Sequence, residues 1–209
     1  MAYQINLFNF TGTLGNVVGY YYKGKYCLRS RAVRKNQNVS LKQLIQQEKF
    51  GLAGRFVRCL TPVFAQSIPD HKKMTKSNFV MSSILRNAIT GTYPDFRIDY
   101  SQVQVSRGHL QNEWDGKAIA ASEKVIFTWG NNSLCHGNAK GDDKAILVVY
   151  CEALNQCVYS MNEINRSAGC AALPVSIFKG HKVETWIGFI SANRKLISNS
   201  IYTGPLFIT

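Results

Sequence analysis

Hydrophobic and polar positions alternate at the start of the chain, and the period lengthens from about residue 41. Residues 3–10 carry apolar side chains at alternating positions and end at Thr11-Gly12, the pattern of a strand running into a turn. Residues 17–22 are β-branched and aromatic, Lys23-Gly24 comes next, and residues 26–33 alternate again; the spacing predicts a hairpin with glycine at its tip. On the second strand of that hairpin Lys25, Cys27, Arg29, Arg31 and Val33 share one face, and Tyr26, Leu28, Ser30 and Ala32 share the other. Residues 34–40 are a polar, basic loop. Leu41, Ile45, Leu52, Phe56 and Leu60 recur near multiples of 3.6, which predicts an amphipathic helix over 41–60 that Pro62 ends or kinks. Met81, Leu85, Ala88 and Ile89 form the stripe of a second helix over 75–89, closed by Gly91.

Beyond the helices the pattern returns to period two. Residues 90–110 are rich in aromatics, with a strand expected near 102–106, and residues 111–122 read as a linker of small and polar residues. Short β-patterned runs occupy 125–129, 145–151, 157–161, 170–177, 183–191 and 195–202, separated by turns and without helices. That rhythm predicts an antiparallel sandwich, with Trp129 and Trp186 in its core. The expected class is α+β, mainly β. A basic module spans 1–110 with a β-ribbon and two helices, and an immunoglobulin-like or fibronectin type III-like sandwich occupies 123–209.

Composition narrows the role. Of 209 residues 45% are hydrophobic and only 18% charged, so the chain can bury a core and is not an intrinsically disordered one. The longest apolar runs, such as residues 145–150, are too short to span a bilayer, and no membrane partner is expected. MAYQINLFNF lacks the basic cap and long apolar stretch of a secretory signal, which makes the cytoplasm the default compartment, with signal-independent release as the other route. The net charge of +13 is uneven. Residues 1–110 carry 16 Lys and Arg against four acids, whereas residues 111–209 carry nine against eight. Such segregation points to one module facing an anionic partner rather than to a basic surface kept for solubility.

Candidate chemistry is scarce. Residues 19–26, GYYYKGKY, come within one letter of a phosphate-binding loop. Tyr26 stands where that loop needs a small hydroxyl to hold magnesium, and the residues after it are β-patterned rather than a helix N-terminus, so the stretch is read as a hairpin. The six cysteines include no C-x-x-C pair, and the four histidines do not supply zinc spacing; free thiols are expected, including Cys151 and Cys157, which flank a hairpin and could face each other across it without a disulfide. His71 beside Asp70 reads as a solvated turn, Asp142-Asp143 as a hairpin tip, and Asp95 with Arg97 as a surface pair. No nucleophile with a base, no metal set and no cofactor motif emerges, and the chain is read as not an enzyme; an enzyme of unrecognised type is the third reading.

The basic constellation is stronger. Between Lys23 and Arg58 ten cations face one acid, Glu48, interleaved with tyrosines. Lys23, Lys25, Arg29, Arg31, Arg34, Lys35, Lys42 and Lys49 are the expected contacts to a polyanion, DNA above all, with Tyr20, Tyr22 and Tyr26 as candidates for stacking on bases. The alternative is a self-assembling filament, sheath or virion-like subunit without nucleic acid, a homo-oligomer built through the chain ends. Ile5, Leu7, Phe8 and Phe10 leave little polar surface on the first segment. At the other end Leu206, Phe207 and Ile208 come after Pro205, which is expected to interrupt the last strand and send them to another surface.

Three stretches also carry a resemblance. GTLGNVVGYYYKGKYCLRSR (12–31), AITGTYPDFRIDYSQVQVSRGHL (88–110), and KAILVVY (144–150) with WIGFISANRKLISNSIY (186–202) resemble an uncharacterised family of bacterial proteins, a domain of unknown function. Members of that family usually have R-x-N-P after the basic strand, where this chain has Lys35-Asn36-Gln37. The resemblance implies no activity and no catalytic residues. Separately, residues 124–204 are similar in pattern to fibronectin type III or immunoglobulin-like sandwiches, a likeness of architecture.

Overall fold

The computed structural model describes residues 3–4, 9–22, 24–33, 39–71, 74–112, 114–133 and 137–209. They divide into two compact units, Met1–Ser40 and Leu41–Thr209. In the first, strands β1 (Tyr3–Gln4), β2 (Phe10–Leu14), β3 (Val17–Tyr22) and β4 (Lys25–Ser30) form an antiparallel meander in sequence order. The near-phosphate-loop stretch is the β3–β4 hairpin: Tyr22 pairs with Lys25 and Tyr21 with Tyr26. Gly24 holds a φ of +75° at its tip, a conformation glycine adopts without steric cost. Tyr26 ties the hairpin to β2, its hydroxyl donating to the Phe10 carbonyl at 3.0 Å and accepting from the Phe10 amide at 3.1 Å.

The second unit begins with three helices, α1 (Leu41–Cys59), α2 (Thr61–Ser67) and α3 (Lys76–Asn87). Pro62 sits in the first turn of α2, where its missing N–H leaves no bond unmade, so the chain breaks at Leu60 and restarts as helix. Thr75 caps α3 by accepting from the Asn78 amide at 3.2 Å. Strands β5 (Ile89–Thr90) and β6 (Arg97–Ile98) pair after it, and a 3-10 turn comes next at Tyr100–Gln102. The strand expected near 102–106 does not form. There the amides of Val105 and Ser106 are taken by the Ser200 hydroxyl, at 2.8 and 3.3 Å.

Seven strands complete the unit: β7 (Trp114–Ala121), β8 (Lys124–Gly130), β9 (Lys144–Cys151), β10 (Gln156–Asn165), β11 (Cys170–Pro174), β12 (Lys182–Ile190) and β13 (Ile201–Phe207). They form a three-stranded sheet, β11-β8-β7, and a four-stranded sheet, β10-β9-β12-β13, all antiparallel. The chain crosses between sheets after β8, β10 and β11, the Greek-key pattern of immunoglobulin-like sandwiches. Val125, Phe127 and Trp129 of β8 pack against Leu147, Val149 and Cys151 of β9 and Val183, Ile187 and Phe189 of β12 between the sheets.

The opposite face of the four-stranded sheet is buried as well. Ile146, Val148 and Tyr150 of β9 and Trp186 and Ile190 of β12 join Phe56, Leu60, Phe64, Val80 and Ile84 of the helices in a second core. The Phe56 ring stands edge-on to Tyr150 at 4.9 Å and lies 6.0 Å from Trp186, whose indole N–H donates to the Val103 carbonyl at 3.1 Å. The helices therefore belong with the sandwich, and the expected module boundary at 110 is replaced by one at residue 40. The expected linker 111–122 is largely β7, an edge strand, because its small side chains (Ala118, Ala120) fit against the inter-sheet core. Trp129 is in the sandwich core as expected, whereas Trp186 faces the helices.

The C-terminus also differs from expectation. Pro205 does not interrupt the last strand: β13 runs through it to Phe207, pairing Pro205 with Glu184 and Phe207 with Lys182. An edge strand tolerates the missing donor, and a bulge at Thr203, next to Gly204 (φ +105°), absorbs the register shift. Ile208 is fully buried on its own chain, fixed by bonds between Gly180 and Ile208 at 2.8 Å and between Ile208 and His181 at 3.1 Å. Leu206 packs partly against the same core and Phe207 is 59% exposed. At the N-terminus Phe10 is half-buried in β2, and Ile5, Leu7 and Phe8 lie outside the described residues.

Candidate nucleic-acid interface

Register decides which side chains of the N-terminal sheet stand together. Directly paired residues of an antiparallel ladder share a face. Tyr22 opposite Lys25, Tyr20 opposite Cys27 and Val18 opposite Arg29 therefore line one face, with Thr13 of β2 beside Val18. The other face holds Leu14, Val17, Gly19, Tyr21, Tyr26, Leu28 and Ser30, with no charge among them. The two cations of the hairpin strands thus fall on the side that also carries two tyrosines. Lys25 and Arg29 are exposed, and Tyr22 is 60% exposed. Arg31 extends the strand, its amide bonded to the Asn16 carbonyl at 2.8 Å and its side chain exposed.

The remaining expected contacts separate. Lys42 and Lys49 belong to α1, in the other unit; Lys42 is exposed, and the Lys49 ammonium lies 4.8 Å over the Phe96 ring, half-buried. Lys23, Arg34 and Lys35 lie outside the described residues. Of the stacking candidates, Tyr20 and Tyr22 share the basic face. Tyr26 is on the opposite one, its hydroxyl engaged with Phe10 and its ring edge-on to Tyr21 at 5.5 Å. An alternating strand cannot bring Tyr26 to the side of Lys25.

Three open depressions stand out among the described residues of the second unit. One of 460 Å³ runs between α1 and α3 over Phe50, Met81 and Leu85. One of 310 Å³ sets Glu48 and Asp95 among Arg55 and Arg97. No ion pair joins Asp95 to Arg97 among the described residues. The third, of 420 Å³, is lined by Arg107, His109, Lys195 and Asn199. Sequence reasoning did not find this group, because Arg107 and Lys195 are far apart in the chain and no local spacing links them. No cluster of three His, Cys, Asp or Glu side chains suited to a metal occurs among the described residues.

Perturbed groups lie mostly in the core and not in these depressions. Burial first, then the nearby Tyr150 and Glu152, pushes the Tyr100 hydroxyl well above its usual range; burial raises Tyr150 likewise. The Cys157 thiol donates to the Cys59 carbonyl at 3.3 Å and lies within hydrogen-bonding reach of the Cys59 sulfur. The interaction between the two thiol side chains lowers Cys59 and, with burial, raises Cys157. Cys151 and Cys157 do not face each other. They occupy adjacent registers on β9 and β10, with Cys151 in the inter-sheet core and Cys157 against the helices. Asp143, expected in a plain turn, is buried and paired with the fully buried Arg166 at 3.2 Å. The Arg166 guanidinium also donates to Asn132 at 2.8 Å and to the Gln111 carbonyl at 2.9 Å, and stacks 3.9 Å over Phe189.

Residues 9–204 match the Family of unknown function (DUF6266), and the chain belongs to that family. No curated protein matches it. Among solved structures it is similar to the solution structure of the fn3 domain of human collagen alpha-1(XX) chain. That similarity has 8% identity and a TM-score of 0.37, over 50% of this chain and 90% of that one. No helix of the described residues is long and apolar enough to cross a membrane.

Proposed function

We propose that this protein is a non-enzymatic structural protein that binds a polyanion, DNA first of all, through the basic face of its N-terminal sheet. The observation that carries the reading is the cross-strand register that sets Tyr20 and Tyr22 beside Lys25 and Arg29. Cations neutralise phosphates and release counterions, and exposed rings on a sheet offer stacking platforms for unpaired bases. Single-stranded DNA is therefore favoured over duplex, whose bases are already stacked. The sandwich then serves as the assembly or display module.

Fluorescence anisotropy of a labelled oligothymidylate, against the same length of duplex, tests this. Binding of the single strand should fall about 300-fold between 50 and 200 mM salt if about six phosphates are neutralised. The Lys25→Glu/Arg29→Glu variant should weaken it for every sequence alike. An oligonucleotide that stays free at low salt ends the proposal.

The reading as a self-assembling subunit is supported by the sheet's other face, where Leu14 is 62% and Leu28 56% exposed and no charge stands on that face among the described residues. An apolar face of this kind favours association. It does not draw on the C-terminus, whose Ile208 is packed in cis. Sedimentation velocity with and without oligonucleotide, on the wild type and on Leu28→Asp, separates the two: a monomer under all conditions removes the assembly reading.

A further inference from the structure

We propose that the 420 Å³ depression between residues 107–109 and 195–199 is a phosphate-group binding site, independent of the N-terminal sheet. Its size suits a small phosphate ester or one nucleotide. Arg107, His109 and Lys195 line it, and no carboxylate does among the described residues. The other polar depression balances its arginines with Glu48 and Asp95. Among the described residues neither Arg107 nor Lys195 takes part in an ion pair, and Asp70, next to the lining residue Pro69, is engaged with Lys76 at 3.4 Å. Cations gathered without acids repel one another, and an anion relieves that repulsion.

The backbone that carries them is fixed from several sides. The Arg107 amide donates to the Ser67 carbonyl at 3.1 Å, and the Leu110 amide to the Ile197 carbonyl at 2.9 Å. The His109 carbonyl accepts from the Asn138 side chain at 2.9 Å. Gly108 passes so close to Ile197 that a Cβ there would run into the Ile197 carbonyl. Its amide donates to Asn199 Oδ1 at 3.2 Å, which leaves Asn199 Nδ2 to donate elsewhere. The Arg107 guanidinium lies 5.3 Å from the Phe79 ring, a stacking contact that orients its planar fork. A fork, a point charge, an imidazole and an amide donor match the three oxygens and the near-double charge of a phosphate monoester better than a single carboxylate.

The phosphate could arrive on a free small molecule or in a nucleic-acid backbone, and one experiment separates these. The full chain, labelled with ¹⁵N, is titrated at constant ionic strength with inorganic phosphate, with adenosine monophosphate and with oligothymidylate. Saturable shifts are expected at the amides of Gly108, His109 and Asn199, read apart from any shifts in β3 and β4. The Arg107→Gln/Lys195→Gln variant should bind about tenfold more weakly or worse, its spectrum otherwise unchanged. Shifts with phosphate and the monophosphate assign a free ester. Shifts with the oligonucleotide alone assign a backbone contact. If none of the three probes moves these amides saturably, or the variant responds as the wild type does, the site does not exist.

Discussion

The two four-stranded sheets of this chain, β1-β2-β3-β4 and β10-β9-β12-β13, are both antiparallel, and they treat their faces in opposite ways. The central strands β9 and β12 are buried on both sides, one face against the helices and one against the three-stranded sheet. The strands of the N-terminal sheet, by contrast, expose Leu14, Tyr21, Tyr22 and Leu28. A sheet covered on both faces draws its stability from buried area and tolerates few changes. A sheet open on both faces presents its side chains to whatever binds. The first is where mutations should unfold the protein, and the second is where they should alter binding and leave folding intact.

The largest effect should come from the double-faced sheet. Phe56→Ala removes the ring that meets Tyr150, Tyr100 and Trp186, and should cost about 3–5 kcal/mol in chemical denaturation. A cost under about 1 kcal/mol would show that the helices are loosely held on the sheet. Nearly as large is the loss of one partner of the buried ion pair. Asp143→Ala leaves the Arg166 charge uncompensated among Asn132, Gln111 and Phe189, and should destabilise by about 3 kcal/mol or more. Replacing both by apolar residues should restore part of that loss, which the same denaturation series checks.

The open sheet should behave in the reverse sense. Lys25→Glu/Arg29→Glu should shift stability by no more than about 0.5 kcal/mol while weakening oligonucleotide binding. If the variant unfolds, the basic face is structural and the comparison fails. The smallest effect sharpens the helix–sheet contact. Cys59 is lowered by its interaction with the Cys157 side chain, and Cys157 is raised by the same interaction and by partial burial. At a pH just below the ordinary thiol range Cys59 carries more thiolate, so limiting iodoacetamide should label Cys59 before Cys157 by mass spectrometry. In the Cys157→Ser variant the Cys59 rate should change.

Much of this molecule was legible in the order of its residues. The hairpin at residues 17–30 was predicted by alternation and by Gly24. The two long helices came from a 3.6 period, and most sandwich strands from short apolar runs. The split of Lys25 and Arg29 from Leu28 and Tyr26 came from period two alone. These are local properties, set by backbone geometry within a few residues. Which partner each element finds is not local. That β9 and β12 are buried on both faces was hinted at by their near-continuous apolar runs, AILVVYC and TWIGFI. The identity of the covering layer was decided by helices up to about 130 residues away in sequence. Pro205 signals a strand end only for a central strand, and its place at an edge was set by sheet order. The placement of Tyr20 and Tyr22 beside Lys25 needed the pairing register, and the meeting of Arg107 with Lys195 needed the whole fold. Periodicity fixes the face on which a side chain stands, whereas packing of distant elements decides what that face meets.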